Sequence, residues 1–170
     1  IRNEEHLTAS LERRIAAAER VAAKGALVGF HFHPIVHYRG WKEEYAGIYE
    51  EIQRRFDPQQ VVMVSLGTLT FIKPLLKLLR SRHFKTKVLQ MPLRDAAGKY
   101  SYPFEIKKEL FTHAYRSFSE AWKKAVFFYM CMEDPELWLP VFGRQYRDND
   151  SFEKHMKDAY MGKIQSLRGN

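Results

Sequence analysis

The sequence contains a single cysteine, Cys131, among its 170 residues. One thiol excludes an internal disulfide, a four-thiolate zinc site and an iron–sulfur cluster held by this chain's own thiolates. A cysteine nucleophile remains conceivable on composition, but Cys131 lies in an apolar run between Met130 and Met132. In such surroundings a buried, inert thiol is the expected state, because an apolar environment disfavours the reactive thiolate.

Long apolar runs and nucleotide-binding motifs are also missing. No run approaches the roughly 18 residues that span a bilayer, and no signal-peptide core follows Ile1. Neither GxxxxGK[ST] nor GxGxxG occurs, so no phosphate-cradling loop of those kinds is expected. Without repeats or linkers, we expect one domain over residues 1–170 of a cytoplasmic protein. Because the chain starts without Met, we also expect it to begin within a longer protein.

Positive charge is concentrated in the middle of the chain. The formal net charge is +8, and residues 72–124 hold thirteen Lys and Arg against four acids. A concentrated positive field favours nucleic acid or an acidic partner, because neutralised phosphates supply sequence-independent affinity. The alternative is a solvated helix face with no partner.

Hydrophobic periodicity predicts an α/β fold in which mostly parallel strands alternate with flanking helices. Helices are expected over residues 6–24, 41–56, 72–82, 105–118, 135–142 and 149–166. Strands are expected over residues 26–32, 61–66, 87–91 and 125–132. The first two strands thus occupy residues 26–66, with Pro34 past the end of the first and Gly67 ending the second. The last strand and the terminal helices occupy residues 125–170.

Polar side chains follow each predicted strand. Ligands of parallel α/β folds bind outside the carboxyl ends of the strands, so these side chains are the candidates for a site. They are His31, His33, His37, Ser65, Thr68, Gln90, Glu133 and Asp134.

His31 and His33 are two residues apart on a predicted strand and therefore face the same side. Histidines so spaced can bind a metal, with His37 and Glu133 completing the shell, which would suit a metal-dependent hydrolase. The alternative is a pair of hydrogen-bonded packing residues with no metal, since no third ligand is identified by the sequence alone.

Residues 94–103 combine basic and aromatic side chains around a glycine, in a stretch expected to be a loop or hairpin. Lysine and arginine neutralise phosphates while bases stack on aromatic rings, so Arg94, Lys99, Tyr100 and Tyr102 are candidate nucleic-acid contacts. On this basis the chain could be a non-catalytic nucleic-acid-binding module. The alternative is a hairpin tip whose tyrosines pack on the body of the protein.

Several short motifs follow one another along the chain. They are Pro34-Ile35, Gly40-Trp41 with Glu43 and Tyr45, Ser65-Leu66-Gly67-Thr68-Leu69-Thr70-Phe71, Lys85-Thr86-Lys87 and Gly98-Lys99-Tyr100-Ser101-Tyr102. In this order the sequence resembles the C-terminal half of spore photoproduct lyase and its relatives. Residues 131–134, with Trp138 and Gly143, resemble the closing segment of the broader, non-sporulating branch of that family.

The resemblance implies the C-terminal βα units of a radical S-adenosylmethionine protein with a partial (β/α)6 barrel. In that family a [4Fe-4S] cluster on a Cys-x3-Cys-x2-Cys loop cleaves S-adenosylmethionine, and the adenosyl radical abstracts hydrogen from a thymine dimer in DNA. This sequence has no such loop. The resemblance therefore implies that the chain alone holds no cofactor and is inactive, and that the cluster and S-adenosylmethionine belong to a parent that includes the N-terminal half.

The resemblance further implies roles for particular residues. His31, His33 and Ser65 would wall the S-adenosylmethionine and substrate cavity, and the hairpin would contact DNA. Many relatives carry arginine at the position of Thr70 and an acid at that of His33, so roles of those relatives do not transfer there, and Cys131 does not match the family's hydrogen-donor cysteine. Open barrel edges also predict pairing of two copies of the chain.

Overall fold

The computed structural model describes residues 7–82, 86–96 and 98–168. Residue 6 of the first predicted helix, Lys85 of the basic segment, Ala97 of the predicted hairpin and residues 169–170 lie outside the described part. The helices are α1 (Leu11–Ala22), α2 (Trp41–Arg55), α3 (Lys73–Ser81), α4 (Phe104–Arg116), α5 (Glu120–Ala125), α6 (Trp138–Phe142) and α7 (Asn149–Arg168). The strands are β1 (Val28–Ile35), β2 (Val61–Thr68), β3 (Thr70–Ile72), β4 (Arg94–Ala96), β5 (Lys99–Ser101) and β6 (Phe127–Met130).

Three parallel strands form the main sheet in the order β1–β2–β6. The central strand β2 is buried along nearly its whole length, as its run of apolar and β-branched residues predicts for a strand covered on both faces. Ser65 pairs with His31 on one side and with Tyr129 on the other. The expectation of parallel strands flanked by helices is confirmed for this sheet.

The two faces of the main sheet are covered differently. On one face Phe32 contacts Tyr49 of α2 at 4.9 Å between ring centroids, and Phe128 contacts Phe118, which follows α4, at 5.0 Å. Leu110 of α4 is fully buried in the same core. On the other face α7 packs against β6, and we call this the inner face. The fold is therefore a sheet between two helical layers, with α7 alone on the inner face among the described elements that contact it.

Two predicted strand ends were wrong. β1 continues through Pro34 to Ile35, and β2 continues past Gly67 to Thr68. Within the described part of the chain β1 pairs only with β2, and Pro34 lies at an irregularity of this pairing between Phe32 and Ile35, where a residue without an N–H is tolerated. β6 is shorter than expected at its start, because α5, which the sequence analysis did not predict, ends at Ala125.

The third predicted strand, residues 87–91, was also wrong. The structure has a single 3₁₀ turn at Val88–Gln90, whose backbone N–H at Val88 donates to the Thr86 hydroxyl over 3.1 Å. Pro92 follows directly and cannot donate to a ladder. Gln90 therefore does not stand at the carboxyl end of a sheet strand, so the argument that made it a candidate no longer applies.

The segment expected to be a loop or hairpin forms a hairpin, which is part of a second, antiparallel sheet in the order β3–β5–β4. Strands β4 and β5 form the hairpin, and β3 pairs with the other edge of β5. Gly98 has a φ of +83°, the left-handed conformation that glycine adopts without strain in a tight turn. We call β3, β4 and β5 the basic sheet.

Helix α7 is tied to the start of β2 by a lysine. The Lys163 ammonium donates to the carbonyl oxygens of Pro58 and Val61. Burial lowers the pKa of Lys163 to about 8, because an apolar environment disfavours the charged form. Within the described residues no helix is long and apolar enough to cross a membrane.

The lowered pKa of Lys163 predicts a pH dependence of stability. Between about pH 8 and 10.5 the folded chain has released a proton that the unfolded chain still binds, so stability rises with pH across this window. We expect the free energy of unfolding in urea to rise with pH more steeply for the native chain than for Lys163→Met. Parallel pH curves for the two proteins would contradict this assignment.

Candidate ligand site and nucleic-acid interface

His33 and Ser65 form a hydrogen-bonded pair near the carboxyl end of the main sheet. The Nε2 atom of His33 lies 2.7 Å from the Ser65 hydroxyl, and His31 lies beside them with its ring centroid 5.7 Å from that of His33. Both histidines are exposed, whereas Ser65 is fully buried. The structure thus brings together the three residues predicted to wall a cavity, on one face of two paired strands.

Gly67 makes room for the His33 ring. A Cβ atom at position 67 would lie 2.9 Å from two atoms of the imidazole, closer than real Cβ contacts allow. The only prediction for Gly67 was that it ends a strand. Its actual role depends on a contact between two strands, for which the sequence carries no local signal.

The pKa of His33 is lowered from its ordinary value. The main cause is partial desolvation of the ring where it lies against Ser65 and Gly67; the nearby charge of protonated His31 adds to it, while Glu133 acts in the opposite direction. His33 is therefore mainly neutral at pH 7 and meets Ser65 as an uncharged ring. A neutral imidazole beside a hydroxyl suits binding of polar, uncharged ligand groups as donor or acceptor.

A metal shell does not form around the two histidines. Within residues 7–82, 86–96 and 98–168 no group of three or more His, Cys, Asp or Glu side chains is placed to hold a metal ion. His37 lies instead beside Trp41 and Tyr102, with ring centroids 5.9 Å and 6.4 Å away. The described structure thus gives the metal-dependent hydrolase no third ligand.

Glu133 is buried rather than open to a ligand. Its carboxylate accepts from the backbone and hydroxyl of Thr68 and from Lys107 of α4. Lys107 was not among the predicted residues, because only the packing of α4 brings it to this edge of the sheet. Asp134, the last predicted candidate, accepts from the Glu136 N–H at 3.0 Å and so begins the turn at Pro135–Leu137.

Arg94 and Lys99 share one face of the basic sheet. Arg94 is paired with Ser101, and Lys99 with Ile72. Both basic side chains are exposed, and neither has an ion pair within the described part of the chain. Ile72 on the same face is 57% exposed. The face therefore presents two uncompensated cations beside an apolar side chain.

The two tyrosines of the hairpin do not join that face. Tyr100 is half-buried and opposite Phe71 and Asp95, so alternation along β5 places it on the other side of the basic sheet. Tyr102 is only 2% exposed, and its hydroxyl accepts from the His37 N–H and donates to Met91 Sδ. The prediction that Tyr102 stacks on bases was wrong, because its ring belongs to the core.

Removing the charge beside His33 is expected to raise its pKa. In His31→Gln the like charge that disfavours protonation is gone, so the pKa of His33 moves up toward its ordinary value. An NMR titration of the imidazole protons measures this shift. His113→Gln on α4 is the control and leaves the His33 titration unchanged, whereas an unchanged or lower pKa in His31→Gln would refute the coupling.

Sequence comparison relates the chain to one family. The family model for spore photoproduct lyase matches residues 1–131. Spore photoproduct lyase of Bacillus subtilis (strain 168) is 34% identical over 91 residues, which are 52% of this chain and 26% of the relative. The lyase of Geobacillus sp. (strain Y412MC61) is 30% identical over 102 residues, 56% of this chain and 28% of the relative.

Solved structures of the lyase agree with the fold. One, complexed with dinucleoside spore photoproduct, matches with a TM-score of 0.65 at 27% identity over 77% of this chain and 41% of that chain. A mutant with bound AdoMet and dinucleoside spore photoproduct matches with a TM-score of 0.61 at 28% identity, over 74% and 39% of the two chains. The chain thus spans well under half of each relative. Since the family match covers most of the chain and the folds agree, the chain belongs to the spore photoproduct lyase family.

Proposed function

We propose that this chain supplies the C-terminal βα units of a radical S-adenosylmethionine protein that acts on DNA, resembling spore photoproduct lyase. The observation that carries the proposal is the exposed His33 ring, hydrogen-bonded to buried Ser65 near the carboxyl ends of parallel strands, in a member of this family. Ligands of such sheets bind at that end, and a solved relative has both AdoMet and dinucleoside spore photoproduct bound.

The exposed part of the inner face supports a cavity wall formed by His31, His33 and Ser65. Helix α7 covers this face beside Phe127 and Tyr129 of β6 and at the start of β2. The histidines farther along β1 stay exposed, so a ligand would approach from the carboxyl end. In this arrangement the neutral, exposed His33 would orient polar groups of S-adenosylmethionine or substrate by hydrogen bonds, and the buried Ser65 hydroxyl would hold its ring in place.

A partial barrel would need further strands beyond this chain. Within the described residues β1 pairs on one side only, and its free edge can accept a strand of the cluster-bearing half. In the isolated chain the same edge can pair with a second copy. We propose residues 1–170 as one unit of that larger barrel, with the first two strands at 26–66 and the last strand and terminal helices at 125–170.

The chain's own side chains do not fit an iron–sulfur cluster. A [4Fe-4S] cluster requires several thiolates, and Cys131 is the sole cysteine. When bound in the complete protein, the cluster and S-adenosylmethionine would supply the radical chemistry. This chain would contribute binding and orientation of the ligand, and no radical step is assigned to its residues.

The basic sheet is the proposed nucleic-acid interface. Arg94 and Lys99 have no ion pair within the described residues, so binding to phosphates would break no described ion pair. Exposed Ile72, opposite Lys99 on the same face, can contact a base or sugar, which suits DNA whose bases are extruded from the helix. Of the four residues predicted from the segment 94–103, we keep Arg94 and Lys99, assign Tyr100 to the opposite face and leave out Tyr102.

Charge reversal on this sheet is expected to weaken DNA binding. For Arg94→Glu/Lys99→Glu we expect the slope of log affinity against log salt concentration to become less steep. The change is about 0.7–0.9 for each phosphate that the protein no longer neutralises. Fluorescence anisotropy with a labelled single-stranded oligonucleotide over a salt series measures this change.

A second variant with the same change in net charge tests whether weaker DNA binding comes from the basic sheet itself or from the net charge of the chain. Arg20→Glu/Lys157→Glu changes the formal charge equally at exposed positions on α1 and α7. We expect this variant to keep most of the native salt slope, which is the slope of log affinity against log salt concentration. Equally reduced slopes in the two variants, or native binding that is insensitive to salt, would refute the interface.

The cofactor assignment predicts a clear difference between the isolated and the completed protein. Reconstituted anaerobically with iron and sulfide, the chain alone should retain no stoichiometric cluster. Reading the encoding frame ahead of Ile1 should reveal a Cys-x3-Cys-x2-Cys motif. A start codon near Ile1 with no partner chain, or a stoichiometric cluster on this chain alone, would overturn the assignment.

A further inference from the structure

The basic sheet is joined to the main sheet through a very short connection. Only Leu69, a buried core residue, separates the end of β2 at Thr68 from the start of β3 at Thr70. With so few backbone dihedrals between the strands, small changes at Thr68 would redirect the whole basic sheet. Whatever fixes Thr68 therefore fixes the direction in which Arg94 and Lys99 point.

Glu133 holds Thr68 with one carboxylate oxygen and Lys107 with the other. One oxygen accepts from the Thr68 N–H at 2.8 Å and from the Thr68 hydroxyl at 2.7 Å. The other accepts from the Lys107 ammonium at 2.7 Å. The side chains of Lys107 and Glu133 are 10% and 2% exposed. A buried carboxylate with these three donors holds its partners in one geometry, because any movement would leave a charge unpaired.

The backbone before Glu133 supports this role independently. Met132 has a φ of +55°, in the left-handed region that a residue with a side chain seldom adopts, and its own side chain is 88% exposed. The turn therefore gains little from burying Met132. It directs the next residue, Glu133, back into the protein, so the hydrogen bonds of Glu133 offset the cost of the conformation.

The exit of the basic sheet is held as well. The Ser101 hydroxyl donates to the Leu69 carbonyl at 2.8 Å, and the Tyr102 hydroxyl accepts from the His37 N–H at 3.1 Å. The sheet is thus attached by polar interactions at both of its connections to the main sheet. Of Glu133, Ser101 and Tyr102, only Glu133 carries a charge. Its side chain connects the segment after β6 to Thr68 at the end of β2.

We infer that Glu133, paired with Lys107, is a positioning residue that sets the orientation of the basic sheet relative to the main sheet. The effect of Glu133 on binding rests on the proposed nucleic-acid interface. By fixing the basic sheet, Glu133 would hold Arg94 and Lys99 in one direction. It touches neither ligand nor phosphate itself. The required feature is the hydrogen-bond acceptor at Thr68, and Lys107 pairs with the other carboxylate oxygen so that the buried charge of Glu133 is not left unpaired.

Two double variants separate positioning from stability. Lys107→Met/Glu133→Leu replaces the buried pair with apolar side chains, a change that proteins often tolerate without becoming less stable, but removes the acceptor at Thr68. Lys107→Met/Glu133→Gln also removes both charges but keeps a carbonyl oxygen for Thr68. We expect both to fold and only the first to loosen the basic sheet.

Electron–electron distance measurements detect that loosening without any ligand. Nitroxide labels at Ala96→Cys on the basic sheet and Glu50→Cys on α2, in a Cys131→Ala background, report the relative orientation; both positions are exposed. We expect a broader distance distribution in the Leu variant and an unchanged one in the Gln variant. Glu120→Ala, which breaks the exposed pair with Lys123, is the control and keeps the native width. A native width in the Leu variant, or equal broadening in all three, would overturn the inference.

Oligonucleotide binding then connects the geometry to the interface. In the Leu variant we expect the salt slope to fall by about 0.7–0.9 for each phosphate that is no longer bound, and in the Gln variant to stay native. If the native chain binds no oligonucleotide, the proposed interface fails while the distance measurements still decide the role of Glu133. If distances broaden but the salt slope stays native, Glu133 orients the sheet without serving binding, and the positioning of Arg94 and Lys99 is overturned.

Discussion

The burial of β2 on both faces and along both edges is the constraint on which the rest of the structure depends. Its apolar, β-branched sequence can be satisfied only between two neighbouring strands and two covering layers. The outer layer is a continuous aromatic and aliphatic core under α2 and α4. The inner face contains the polar position Ser65, and its exposed neighbours on β1 are the two histidines. One strand thus separates a stabilising face from a candidate binding face.

The sequence predicted the elements whose patterns are long or unambiguous. The periodic helices α2 and α4 lie within a residue or two of their expected ends, and β2 follows from its apolar run. The run at residues 87–91 misled because a short apolar stretch does not by itself specify a strand, and here Thr86 and Pro92 favour a turn. Pro34 misled because an edge strand can continue past a proline that lies at an irregularity of the pairing, as Pro34 does.

The sequence predicted where the residues of the candidate site lie on the strands, but not which side chains they contact. His31, His33 and Ser65 follow from strand order, whereas the ion pair of Lys107 with Glu133 joins α4 to the segment after β6 and has no local signature. The tyrosines of the hairpin show the same limit. Alternation along β5 decides that Tyr100 faces away from Lys99, and a hydrogen bond to the backbone of His37 holds Tyr102 in the core. Composition identified a basic, aromatic segment, but only strand register separates its cations from its rings.

The close approach of Gly67 to His33 has a consequence for the chemistry of the inner face. A methyl group at position 67 would displace the imidazole from its place beside Ser65. The displaced ring would be better hydrated, and the burial that lowers its pKa would be relieved. The protonation state of the histidine at neutral pH is therefore encoded in part by a neighbour that has no side chain and no ionisable group.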